Sequence, residues 1–105
     1  IAKAIFAIQF LMSIKDSNLL EYLSNECMPD VIILFGSASL GEDLKGSDID
    51  LFVMSKKEKI DLEKFEKKLN RKINIFFSED FRKLSKELRN NIINGIVLKG
   101  YLKVF

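Results

Sequence analysis

Val31-Ile32-Ile33-Leu34-Phe35-Gly36-Ser37-Ala38-Ser39-Leu40-Gly41-Glu42-Asp43-Leu44-Lys45-Gly46-Ser47-Asp48-Ile49-Asp50-Leu51-Phe52-Val53-Met54 is the stretch on which the reading of this chain turns. Residues 31 to 35 are an unbroken apolar run rich in β-branched side chains, the pattern of a central strand buried on both faces, and Gly36-Ser37 ends it. Residues 36 to 47 hold three of the chain's five glycines, so a turn-rich connection follows. Residues 49 to 54 read as a second strand. Side chains alternate along it, so Ile49, Leu51 and Val53 can enter a core while Asp48, Asp50 and Phe52 share the other side. Two carboxylates one strand repeat apart then converge.

Outward from this stretch the pattern is mostly helical. Residues 1 to 14 are apolar on nearly all sides, and Asp16 or Ser17 can cap a second helix through Leu19, Leu20, Tyr22 and Leu23, with Pro29 as its stop. Residues 58 to 70 place Ile60 or Leu62, Phe65 and Leu69 on one helical face among Lys and Glu. Ile73 to Phe77 makes a third strand. Ser78 is the expected N-cap of a last helix in which Phe81, Leu84, Leu88 and Ile92 recur up to Gly95, and Ile96 to Leu98 adds a final strand or extended segment. The order implies a layered α/β (α+β) domain, a small mixed sheet covered by helices. Residues 1 to 105 read as one domain, with a helical segment over 1 to 28 and a core over 30 to 100. The opening on Ile1 rather than Met reads as a piece cut from a longer protein.

Composition removes many function classes. The 105 residues are 48% apolar and 30% charged, enough for one real core, and 17 basic against 15 acidic residues leave a net charge of +2, far from a dedicated nucleic-acid binder. His is absent, which excludes histidine metal sites and Ser-His or Cys-His nucleophile pairs. The lone Cys27 has no internal disulfide partner and reads as a core residue. The apolar opening falls short of the roughly 20 residues that span a bilayer and lacks a signal-peptide cleavage site, so a cytoplasmic location without membrane contact is expected.

The acid pair and the glycine turn suggest chemistry. Paired carboxylates suit Mg²⁺, which takes one or two of them and completes its octahedron with water and substrate phosphates. Gly36 lets backbone approach a phosphate closely, and the amide and hydroxyl of Ser37 would meet its charge. Each feature also has a plainer reading, since Asp-x-Asp keeps a strand edge solvated and Gly-Ser is an ordinary turn. Two other templates fail: a Walker loop needs Lys and Ser or Thr where Glu42 and Asp43 stand, and a calcium hand needs a polar ligand where Phe52 stands.

As a whole, Gly36-Ser37, Gly41 and Ser47-Asp48-Ile49-Asp50-Leu51 between two apolar strands resemble the nucleotidyltransferase superfamily that includes DNA polymerase β, and within it the minimal nucleotidyltransferases of bacteria and archaea. The resemblance implies that Gly36 and Ser37 hold the β and γ phosphates of a nucleotide, most simply ATP, and that Asp48 and Asp50 bind Mg²⁺ as the catalytic pair. Ser47 would orient Asp48 or simply serve the turn. A hydroxyl of a protein or RNA would attack the α-phosphorus and release pyrophosphate.

The sequence departs from that pattern twice. Leu40 stands where many members carry Arg, and Asn74 stands where active members usually place a third carboxylate. An amide coordinates Mg²⁺ but is no general base near neutral pH. Asp61, Glu79 and Asp80 read as helix-start acids rather than substitutes. The expected function is therefore an adenylyltransferase or, alternatively, a degenerate module that binds nucleotide or a partner. Residues 78 to 100 resemble the branch that follows an N-terminal winged-helix domain. That would confine DNA contact to a domain outside these residues and give the opening helix a neighbouring domain or a dimer mate to cover. A relative of the family is an antitoxin that modifies a helical toxin, so a toxin-like helical protein is the partner the resemblance implies.

Overall fold

The computed structural model describes residues 2–36 and 48–102. Helices α1 (Ala2–Asp16) and α2 (Leu19–Cys27) lead into strands β1 (Val31–Phe35) and β2 (Ile49–Val53). Helix α3 (Glu63–Leu69), strand β3 (Ile73–Phe77), a 3-10 turn (Phe81–Lys83), helix α4 (Lys86–Ile93) and strand β4 (Ile96–Gly100) follow. The sheet runs β3-β2-β1-β4, with β1 antiparallel to β2 and β4, and β2 parallel to β3. It is a four-stranded mixed sheet with helices on both faces, an α+β fold.

Alternation along β1 and β2 divides the core in two. Ile32 and Leu34 with Ile49, Leu51 and Val53 face α1, α2 and α3, where they meet Phe10, Ile14, Leu19, Leu23 and Phe65. Val31, Ile33 and Phe35 with Phe52 and Met54 face the other way, under Phe81 and Ile92. Every residue of β1 is buried, as expected of a central strand with apolar side chains on both faces. Phe52 is fully buried too, its ring centroid 6.4 Å from that of Phe81 in an edge-on arrangement. The face that carries Asp50 is therefore solvated only at its upper end. Phe10, on the opening helix, belongs to the core rather than to an exposed patch. Ile5, Ile8 and Met12 of the same helix do point outward. No helix of the described residues is long and apolar enough to cross a membrane.

Local hydrogen bonding moves three element boundaries. Ser17 ties α1 to α2: its hydroxyl donates to the Ile14 carbonyl at 2.6 Å and accepts from the Leu19 amide at 3.2 Å, while Asn18 takes a left-handed conformation between them. Helix α3 starts at Glu63, not near 58, because Asp61 accepts the Glu63 amide at 3.1 Å while its own amide is held by the Tyr22 hydroxyl at 2.8 Å. The continuous helix expected after Ser78 is broken in two. Ser78 closes on Asp80, Asp80 accepts the Arg82 amide at 2.9 Å, and Ser85 is the N-cap of α4, accepting the Leu88 amide at 3.2 Å. Such side-chain bonds compete with helix for the same backbone donors. Phe81, Leu84, Leu88 and Ile92 nevertheless reach one face. The final segment is a full strand, β4, two residues longer than expected at its C-terminal end.

Candidate functional site

The end of the sheet where β1 stops and β2 and β3 begin gathers the polar residues singled out in the sequence. Asp50 lies opposite Phe35 on β1 and beside Asn74 on β3. Gly36 follows Phe35, and Asp48 lies just before β2. Asp48 is exposed, whereas Asp50, Asn74 and Gly36 are half-buried.

Asn74 joins the acids directly. Its carboxamide nitrogen donates to Asp48 Oδ2 at 3.0 Å and to Asp50 Oδ1 at 2.9 Å. Ionised carboxylates only accept, and the amide nitrogen carries two donors, so this orientation places one N–H on each acid. The other oxygen of Asp50 faces Gly36: a β-carbon on Gly36 would stand 2.6 Å from Asp50 Oδ2. Gly36 also has φ +78, a left-handed conformation costly to other residues. Glycine is required here twice over, by backbone conformation and by the carboxylate packed against it.

Beneath these groups lies an apolar wall that no sequence pattern singled out. Phe35 and Phe76 flank β2 from the neighbouring strands, and their rings meet across it edge-on with centroids 5.3 Å apart. The only sequence signal was that Asn74 and Phe76 share a face by alternation. At the opposite, C-terminal ends of β2 and β3 an open cavity of about 470 Å³ is lined by Phe76, Ser78, Leu84 and Leu88, with Lys56, Lys57 and Glu79 around it.

Oxygen donors on Asp48, Asp50 and Asn74 are the hard ligands that Mg²⁺ takes, and the recess that glycine leaves beside Asp50 keeps that carboxylate close to backbone. Among the described residues no group of three or more Asp, Glu, Cys or His assembles. Asp61 and Asp80 are engaged at the starts of α3 and of the 3-10 turn. Ser37, Leu40, Gly41 and Ser47 lie outside the described residues. Cys27 is buried at the end of α2, and desolvation raises its thiol pKa.

A mixed sheet with a glycine turn and an acid pair at adjoining strand ends defines the class: an α+β domain carrying a compact oxygen-donor site at one end of its sheet. The family model "Polymerase beta, Nucleotidyltransferase" matches residues 17–102, and the chain belongs to that family. No curated protein and no solved structure matches the chain significantly.

Proposed function

We propose that this domain transfers AMP from ATP to a hydroxyl group of a protein or RNA acceptor with Mg²⁺ bound by Asp48 and Asp50. The observation that carries this reading is the convergence of Gly36, Asp48, Asp50 and Asn74 at one sheet end in a chain of the nucleotidyltransferase family. Gly36, with Ser37 after it, is assigned the β and γ phosphates, where close backbone approach matters most. Ser47 is assigned the orientation of Asp48. When bound, the metal would offset the charge that builds on the phosphoryl oxygens.

In the proposed reaction the acceptor oxygen bonds to the α-phosphorus as its bond to the bridging oxygen breaks, and pyrophosphate leaves in line. The acceptor proton passes to solvent or to a carboxylate of the pair, since the Asn74 amide cannot take it. Gly36 closes one side of Asp50, so the acceptor is assigned the opposite side, that of the edge strand β3, where Phe76 lies. Phe76 is two residues from Asn74, about 7 Å along the strand.

Asn74 favours a second reading, in which the domain binds nucleotide or a protein partner without transferring. A well-placed base contributes about 10² to 10⁴ in rate, and this position lacks one. The outward Ile5, Ile8 and Met12 suit a covering neighbour, which we assign to an attached winged-helix domain, to a second copy or to a toxin-like helical partner. The readings separate with ATP labelled on its α-phosphate, Mg²⁺ and a lysate of the source organism as acceptor. Label transferred by the natural chain and lost in Asp50→Ala supports the transferase; transfer that appears only in Asn74→Asp supports the binding module.

A further inference from the structure

Resting on the metal-site reading above, we infer that Asn74 is a reversible latch on the acid pair: its amide nitrogen holds Asp48 and Asp50 together without metal, and its carboxamide turns over when a divalent cation enters. The two hydrogen bonds at 3.0 and 2.9 Å converge on the space between the carboxylates, where a cation would need to sit. Three carboxylates in that space would repel one another in the absence of metal. With an amide in the third place there is one charge fewer, and its two N–H groups offset part of the repulsion between the remaining carboxylates and hold them together.

Cation entry reverses the preference. The electropositive N–H₂ would then face a positive charge, whereas Oδ1 of the same side chain is a hard oxygen donor. A half-turn about the last side-chain bond exchanges the two atoms with almost no change of shape, and the edge strand leaves Asn74 only half-buried, with room to turn. Because bare Mg²⁺ must displace both amide hydrogen bonds and finds only two charged ligands, it binds the free protein weakly. A cation that arrives with a triphosphate brings further negative charge and binds better. Asn74 thereby couples metal occupancy to nucleotide occupancy, as a positioning residue.

The test is NMR of the full ¹⁵N-labelled chain, following the side-chain amide of Asn74, with that of Asn94 as control because it donates to the Asn90 carbonyl away from the acids at 3.0 Å. Mg²⁺ is added alone, then with α,β-methylene-ATP. The expected result is a shift of the Asn74 amide pair and at least severalfold faster exchange of its protons with water on cation binding, with Asn94 unchanged. Half-saturation should need about tenfold less Mg²⁺ in Asn74→Asp, and the response should vanish in Asp50→Ala. If Mg²⁺ moves the backbone signals of Gly36 and Asp50 but leaves the Asn74 amide where it was, the latch is wrong and the metal site stands. If no signal at this end of the sheet moves with either addition, the metal-site reading fails and the latch with it.

Discussion

Gly36 and Asp50 are packed so closely that a single added methyl group would stand 2.6 Å from the carboxylate oxygen. The contact joins the end of one strand to the start of its antiparallel neighbour, and it makes the glycine turn and the acid pair one unit. Gly36→Ala should therefore act on both. A left-handed alanine costs about 1–2 kcal/mol, and the Asp50 carboxylate must leave its place between Gly36 and Asn74 to make room. Thermal unfolding should show the modest loss of stability, and titration with ATP and Mg²⁺ should show at least a tenfold loss of affinity while the circular dichroism spectrum stays native. Unchanged affinity would remove Gly36 from the proposed site.

Gly95 tests the fold rather than the site. A β-carbon there would press into the Leu34 backbone carbonyl and stand 2.9 Å from Ile33 Cγ2, at the junction where α4 turns into β4. Backbone cannot give way as a flexible side chain does, so Gly95→Ala should cost about 1–3 kcal/mol. In a domain of this size that lowers the melting temperature by about 4 °C or more, readable by calorimetry.

Two serines near the last helix should behave differently. Ser85 accepts the Leu88 amide and caps α4, whereas Ser78 closes a separate turn on Asp80. Ser85→Ala should destabilise the protein by about 1 kcal/mol and raise amide exchange in the first turn of α4. Ser78→Ala should leave exchange in α4 unaltered, which hydrogen-exchange NMR reads residue by residue.

The pH dependence to expect at the 3-10 turn comes from Asp80. Its carboxyl is held below the usual 3.8, first by the Arg82 side-chain hydrogen bond and then by the Arg82 amide. A lowered folded-state pKa favours folding above the unfolded value, and that contribution is lost as the pH falls through the folded one. The group is exposed, so the effect belongs to the local turn more than to global stability. Carbon-detected titration should place the Asp80 midpoint below that of an ordinary aspartate, and Arg82→Leu should move it upward.

Much of this architecture could be read without coordinates, because local patterns carry it. The apolar run at residues 31–35 and the alternation at residues 49–53 correspond to β1 and β2, and the split of their side chains between two faces follows from the period of two. Helix boundaries were less legible. Residues 58 to 62 precede α3 rather than belong to it, with Asp61 at its start, and Ser85 rather than Ser78 caps α4, because serines and aspartates within a few residues compete for the same amides. Which one wins depends on where Tyr22 and the core place the backbone.

The sequence by itself determined the strand and helix content, the glycine at the end of β1 and the two aspartates on one side of β2, since each rests on neighbours within a few residues. Only the tertiary structure decided that β3 lies parallel to β2 in the register that sets Asn74 beside Asp50, and that Phe35 and Phe76 close over the strand between them. Register across a parallel pair joined by a helix is set by burying Ile73 and the residues around it against the rest of the core, a long-range condition that no local pattern encodes.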